Sequence, residues 1–105
     1  MFNNYKCLKQ IIAGKRYKLF IANSITKKRK GLSGILKLPE FCGMIFPYGT
    51  EESGRSFTMK NVHLKLRIIF LDKNMNIIYQ EIGKPGQRKS IVCEKPSMYV
   101  IEIPA

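Results

Sequence analysis

The stretch RSFTMKNVHLKLRIIFLD, residues 55–72, places hydroxyl, amine, amide and imidazole groups directly before a hydrophobic strand. Lys60, Asn61 and the only histidine, His63, could bind a ligand together, or they could shape the entrance to the strand. Polar side chains at a bend usually bond to the backbone first. Strand alternation also turns Phe57 and Met59 to a common side, where a core would take them. We therefore favour the structural interpretation of this motif.

The chain lacks the residue arrangements that nucleophilic or acid–base catalysis requires. A serine or cysteine nucleophile needs a base and an orienting acid within hydrogen-bond reach. The nearest acid after His63 is Asp72, nine residues along the same predicted strand. At about 3.3 Å per residue, the two lie about 30 Å apart. Glu51 and Glu52 are neighbours in a polar loop, which is typical of a solvated pair, and no glycine-rich phosphate loop is present. We predict no enzymatic activity and no catalytic residues.

Metal ions, cofactors and disulfides are not expected either. Cys7, Cys42 and Cys93 form no C-x-x-C pair, and one histidine cannot complete a His/Cys ligand set. The amino terminus lacks the continuous apolar segment of a secretory signal, and no apolar run approaches the length of a membrane span. We expect a cytoplasmic or virion-associated protein without a transmembrane segment.

Charge is the most unusual feature of the composition. The 105 residues include 19 Lys and Arg against 7 Asp and Glu, a net charge of +12. Residues 1–39 hold ten basic residues and no acid, and the remainder holds nine basic and seven acidic residues, so the two parts carry +10 and +2. This field favours an anionic partner, although a solvated surface that only keeps the protein soluble is the alternative. The candidate binding residues are Lys15, Arg16, Lys18, Lys27, Lys28, Arg29 and Lys30.

Strand patterns dominate the elements that must position these residues. YKCLKQII and RYKLFIA flank a short glycine-containing loop and predict an amino-terminal hairpin. GMIFPY predicts a strand that stops at Pro47. In HLKLRIIFLD, alternation predicts that Leu66, Ile68 and Phe70 face a core. Between these strands, Asn23, Ser24 or Thr26 can cap a short basic helix near residues 24–32. Many short strands with Gly/Pro turns predict one mainly β domain, 1–105, built as a small antiparallel sandwich or barrel.

Three parts of the chain, in this order and spacing, resemble the domain-of-unknown-function 192 family. They are RKGLSG followed by GMIFPY, the central SFTMKNVHLKLRIIFLD, and the closing MYVIEIPA. The resemblance covers about residues 17–105 and leaves 1–16 as an amino-terminal strand or extension. It implies a compact sandwich of jelly-roll-like character, with no established activity. The family motif, which we interpret as structural, comprises Ser56, Phe57, Met59, Lys60 and Asn61.

The chain departs from the family pattern in charge and in length. Val62, Lys65 and Arg67 stand where the family has Thr, Pro and Asp, and the run KKRK replaces acidic residues. The chain also stops at Ala105, where relatives often continue. We expect a truncated and unusually basic member, in which a protein partner covers what the absent segment would cover.

These departures lead to three functional hypotheses. The first is a non-enzymatic accessory or structural subunit of a larger assembly, such as a virion, polymerase or other nucleoprotein complex. The second is a free-standing binder of nucleic acid or of another anionic ligand. The third is an unrecognised enzyme.

Overall fold

The computed structural model describes residues 2–105 of the chain, and within them it contains eight strands and one helix. The predicted mainly β fold with one short helix is confirmed. The elements are β1 (Cys7–Ile12), β2 (Lys15–Ile21), α1 (Ile25–Lys30), β3 (Cys42–Glu52), β4 (Arg55–Phe57), β5 (Leu66–Leu71), β6 (Ile77–Gly83), β7 (Ile91–Cys93) and β8 (Ser97–Pro104).

Six strands form one sheet in the order β1-β2-β3-β8-β5-β6, and β4 pairs with β7 in a second, smaller sheet. Every neighbouring pair is antiparallel except β2 and β3, which are parallel. Parallel neighbours require a crossover connection, and α1 lies in the one that joins β2 to β3. The helix is therefore carried to one face of the large sheet. Neither sheet closes into a barrel: β1 and β6 are the edges of the larger sheet, and the smaller one consists of β4 and β7 alone.

Apolar side chains are buried on both faces of the large sheet. One cluster lies between this sheet and the small sheet, with the segments around α1 and residue 59 adding to it. The buried members of the other cluster all come from strands of the large sheet itself: Ile12, Leu19, Ile45, Ile69, Leu71, Ile101 and Ile103.

Strand β5 shows how the sequence pattern sets this packing. Leu66, Ile68 and Phe70 are fully buried in the first cluster, as their alternation predicts. Ile69 and Leu71 point to the opposite face and are buried in the second cluster. On that opposite face only Lys65 and Arg67, around the start of the strand, are exposed to solvent. The rest of the face is covered, as expected for a strand with a neighbour on each side.

Strand β3 corrects the prediction that GMIFPY stops at Pro47, because it continues to Glu52 with a register shift after Pro47. Proline is tolerated where no partner needs its N–H. The pairing of β3 with β2 ends at Ile45, whose carbonyl accepts from the N–H of Ala22. In a strand, the backbone N–H and C=O groups of residues two apart point to the same side, so the nitrogen of Pro47 points towards β2, as the carbonyl of Ile45 does. Because β2 has already ended at this level, no hydrogen bond of the ladder is lost at Pro47.

The short helix α1 forms where the capping residues predict it. The Ser24 side chain accepts a hydrogen bond from the Lys27 N–H at 3.1 Å, which satisfies one free donor of the first turn. The helix ends at Gly31, which has a φ of 49° and donates its N–H to the Lys27 carbonyl at 2.9 Å. Its second half is entirely basic, and these residues line a cavity together with Phe46 of the first apolar cluster.

Candidate functional site

A pocket of about 320 Å³ opens between the end of α1, the turn after β4 and the face of the large sheet. Four cationic residues line it, and we call it the basic pocket: Lys28, Arg29, Lys30 and Lys60. Its aromatic wall consists of Phe46, Tyr48 and Phe57, and its floor includes the carboxyl-bearing Glu102.

Backbone contacts hold the two basic walls of this pocket together. The N–H of Gly34, just after α1, donates to the carbonyl of Asn61 at 2.9 Å. Asn61 has a left-handed φ of 60°, a conformation that asparagine tolerates better than most residues. Thr58 Oγ1 accepts the N–H of Lys60 at 3.0 Å, which tightens the same turn. The turn that carries Lys60 is thus tied to the segment that follows Lys28–Lys30.

Glu102 is the most unusual residue of the pocket. It lies on β8 opposite Met44 of β3 and Ile68 of β5, on the face whose other members are apolar. Its exposure is 4%, and no hydrogen bond joins its carboxyl to another side chain or backbone group among residues 2–105. Burial raises the pKa of this carboxyl from its ordinary 4.5 to about 8. At neutral pH Glu102 is therefore a protonated acid that can both donate and accept a hydrogen bond.

Two cationic side chains, Lys28 and Arg55, contact the ring of Tyr48 in the pocket wall. Lys28 Nζ lies 4.5 Å from the centre of that ring, and the Arg55 guanidinium carbon lies 3.8 Å from it. Arg55 is fixed in turn by hydrogen bonds to the Thr50 carbonyl at 2.7 Å and the Ser97 carbonyl at 3.0 Å. Burial raises the pKa of Tyr48, Arg55 opposes this rise, and Glu102 adds to it. Tyr48 therefore stays a neutral phenol beside the buried acid.

The structure divides the basic residues that the sequence singled out. Lys28, Arg29 and Lys30 line the basic pocket. Lys27 belongs to the same run but is held elsewhere, because its Nζ donates to the Asn4 carbonyl at 2.6 Å and lies 4.8 Å from the Tyr5 ring centre. The run KKRK is thus shared between the pocket and the amino-terminal segment.

The basic residues of β2 are not brought to the pocket. Lys15, Arg16 and Lys18 are exposed on this strand, and none of them lines the cavity. The amines of Lys15 and Lys18 lie 5.5 and 5.4 Å from the ring centres of Phe41 and Phe20. Lys15 and Lys18 lie three residues apart on β2, so they leave opposite faces of the strand, each beside its own aromatic ring.

The SFTMKN motif serves both the core and the pocket. Met59 is fully buried, and the Phe57 ring packs edge-on against Phe46 and Phe70 at centroid distances of 5.1 and 5.8 Å. Ser56 and Lys60 line the basic pocket. The motif therefore combines core residues with pocket-facing residues, in addition to the turn at Asn61.

His63 is exposed and does not line the basic pocket. Within residues 2–105, no group of three or more His, Cys, Asp or Glu side chains could hold a metal ion. That His63 binds no metal stays a prediction, which a metal analysis of the purified protein would test. In the same described part of the chain, no helix is long and apolar enough to cross a membrane.

The sequence interpretation missed Glu102, although the sequence carries a signal for it. In MYVIEI the alternation places Met98, Val100 and Glu102 on one face, so a carboxylate stands where an apolar residue is expected. The pocket around it has no such local signal. Its walls come from α1, from the turn after β4 and from β8, which are far apart along the chain.

The family assignment rests on nearly the whole chain. A model of the domain-of-unknown-function 192 family, described as an uncharacterised ACR, matches residues 8–105. The chain belongs to this family. The match begins within β1, earlier than the resemblance at residue 17 predicted, so the amino-terminal hairpin is part of the family domain. No curated protein matches the sequence.

Two solved structures share the fold of this family member. One, from Sinorhizobium meliloti 1021, is described as a "putative transcription regulator"; its TM-score is 0.79 at 23% identity, and the match covers 96% of this chain and 80% of that one. The other, from Novosphingobium aromaticivorans, is described as a protein of unknown function; its TM-score is 0.81 at 21% identity, with 96% and 74% covered. At these identities the likeness establishes the fold alone, and neither description gives a catalytic activity.

Proposed function

We propose that this domain-of-unknown-function 192 protein is a non-enzymatic binding domain that takes an anionic ligand in the basic pocket. One observation carries the proposal: the cavity is lined by four cationic residues and by a carboxyl that is 4% exposed and forms no hydrogen bond within residues 2–105. Clefts lined by charges of one sign concentrate ligands of the opposite sign. A ligand that hydrogen-bonds to this carboxyl would supply a partner that the folded chain does not provide.

Binding accounts for the pocket better than catalysis does. The residues that line it contribute one carboxyl and no histidine or cysteine. A paired-carboxylate mechanism needs a second acid, and a nucleophile needs a base within hydrogen-bond reach. The groups that are present can attract, orient and hydrogen-bond a ligand.

The proposal can be tested by following backbone amide signals in NMR spectra while inorganic phosphate is added. We expect saturable shifts at Gly31, Thr58 and Lys60, which lie along the pocket. The double variant Lys30→Gln/Lys60→Gln should weaken binding by about tenfold, since charge-assisted hydrogen bonds contribute about 1.5–3 kcal/mol each before solvent screening.

The matched control removes two basic residues outside the pocket, Lys15→Gln/Lys18→Gln on β2. It changes the net charge by the same amount and should leave the phosphate affinity within about twofold, because these lysines do not line the cavity. Equal losses in the two double variants, or shifts spread evenly over the surface, would contradict a pocket-based function.

The accessory-subunit hypothesis is a second candidate, and the free edge of the large sheet favours it. Strand β6 is an edge strand with exposed apolar residues, among them Ile77 at 53% exposure and Tyr79. Edge strands with exposed backbone groups are ready sites for pairing with another chain.

A pull-down from native lysate, with and without nuclease, tests this second candidate. We expect a protein partner that survives nuclease treatment and is lost from the variant Ile77→Lys. Leu36→Lys, at a loop position of 76% exposure, is the control and should retain the partner. Loss of all captured material on nuclease treatment would count against a protein partner.

A further inference from the structure

We propose that the ligand of the basic pocket is a phosphate monoester of a sugar or other polyol, with its phosphate at the cationic residues and a hydroxyl on Glu102. This inference rests on the proposed anion-binding function and adds the chemical class of the ligand. It is drawn from the rim, the floor and the walls of the same cavity.

The rim favours a phosphate over a carboxylate. Lys28 and Lys30 belong to α1, whereas Lys60 approaches from the turn after β4, so the cations converge from two separate elements. A lysine amine acts as a compact point charge with three donors. A phosphate monoester presents three terminal oxygens that amines on different sides can share, whereas a carboxylate presents two oxygens in one plane.

The floor favours a hydroxyl. The Glu102 carboxyl is buried, lines the cavity and has no hydrogen-bond partner among residues 2–105. Its raised pKa keeps it protonated at neutral pH, where it offers one donor and further acceptor capacity. A hydroxyl group both donates and accepts, so it can satisfy both functions at once.

The walls and the volume favour a small, non-planar body between these two ends. Phe46 and Phe57 pack against each other edge-on, which leaves an apolar wall suited to C–H groups. The Tyr48 ring is already in contact with the cations of Lys28 and Arg55, so it offers little free surface for stacking a nucleobase. At about 320 Å³ the cavity is near the lower end of the range of about 300–1,000 Å³ for ligand pockets.

Calorimetric titrations with two ligands of the same charge can test this assignment. Methyl phosphate is a monoester without a hydroxyl group, and glucose 6-phosphate carries the same phosphate on a polyol. We expect glucose 6-phosphate to bind at least about tenfold more tightly, which corresponds to one or two hydrogen bonds with an otherwise unpaired buried group. Glu102→Gln should keep this ratio, because an amide also donates and accepts. Glu102→Leu should reduce it to near one.

The possible outcomes separate the two proposals. If neither ligand binds, the anion-binding function fails together with the inference. If both bind with equal affinity, or if Glu102→Leu keeps the ratio, the pocket binds anions but the polyol assignment is wrong. Tighter binding of adenosine 5′-monophosphate than of glucose 6-phosphate would also overturn it in favour of a nucleotide. Thermal melting of each variant confirms that it is folded, and the apolar Glu102→Leu is expected to fold because it removes a buried acid.

Discussion

Glu102 occupies a position that the alternation of β8 assigns to the core, between Met44 and Ile68 on the neighbouring strands. Its neighbours on that face are apolar members of the first cluster. The acid instead stays protonated, because its ionised form would be buried without a partner. A costly residue at the floor of a cationic cavity is the kind of local inconsistency that marks functional sites.

The titration of Glu102 makes stability depend on pH in a defined direction. The unfolded carboxyl titrates near 4.5 and the folded one near 8, so the folded protein binds one more proton between these values. The free energy of unfolding should therefore fall as pH rises from about 4.5 to 8 and level off above 8. The loss amounts to a few kcal/mol, at about 1.4 kcal/mol for each pKa unit.

Urea unfolding of the wild type and of Glu102→Gln at a series of pH values measures this effect. The variant cannot titrate at this position, so its stability should vary less between pH 5 and 8. The difference between the two proteins isolates Glu102 from the other carboxyls, including Asp72, whose pKa is lowered mainly by a backbone hydrogen bond from Asn76. Parallel pH profiles would show that Glu102 does not ionise in this range.

Elements with strong local signals were predictable from the sequence. The alternation of β5 identifies Leu66, Ile68 and Phe70 as core, because period is a local property. The three capping candidates of residues 23–26 placed the start of α1, and the structure selects Ser24 among them. The length of β3 was not predictable in this way. Whether Pro47 ends the strand depends on where β2 stops beside it, and that is a property of the assembled sheet.

The packing between β3 and β8 leads to a prediction about glycine. A Cβ atom at Gly43 would clash with the backbone carbonyl of Glu102 and approach Ile103 Cγ2 at 2.7 Å. Backbone in the middle of a sheet cannot yield as a flexible side chain can, so Gly43→Ala should destabilise the protein by about 1–3 kcal/mol or more. The readout is the midpoint of chemical unfolding.

Gly49 is the matched control, since it lies on the same strand with nothing within 4 Å of an added Cβ. Gly49→Ala should change stability little or raise it slightly, because alanine restricts the unfolded chain. Similar losses in the two variants would mean that the close approach of β3 to β8 does not set the requirement for glycine.

At the scale of the whole molecule, the pocket is a product of topology. The parallel pairing of β2 with β3 carries α1 across one face of the sheet, and the turn at Asn61 meets the segment after the helix. These two segments join Glu102 on β8 only in the folded chain. The sequence therefore predicted the basic run and the motif as separate features, and could not show that they share a cavity.

The net charge of +12 acts at the same scale, and it should be separable from the pocket. A long polyanion responds to the whole field, whereas a small phosphate ester responds to the cations that line the cavity. Two quadruple variants make the comparison: Lys27, Lys28, Arg29 and Lys30 changed to Gln, and Lys9, Lys15, Arg16 and Lys18 changed to Gln. Each removes four charges. The β1–β2 variant should lower the melting temperature only slightly, because exposed charges contribute little stability, and the helix variant should lower it more, because it also removes the hydrogen bond from Lys27 to the Asn4 carbonyl.

Binding of duplex DNA, measured at several salt concentrations, should weaken steeply with salt, with a log–log slope of about −0.9 for each phosphate contact. Both quadruple variants should flatten this slope by roughly two to four contacts, since both reduce the same field. Only the variant of residues 27–30 should lose glucose 6-phosphate, because three of its four positions line the pocket and none of the other four does. If the β1–β2 variant left the slope unchanged, DNA attraction would belong to the helix alone. If the wild type showed no salt-dependent binding, the charge would be a surface property, and the pocket would have to account for anion binding by itself.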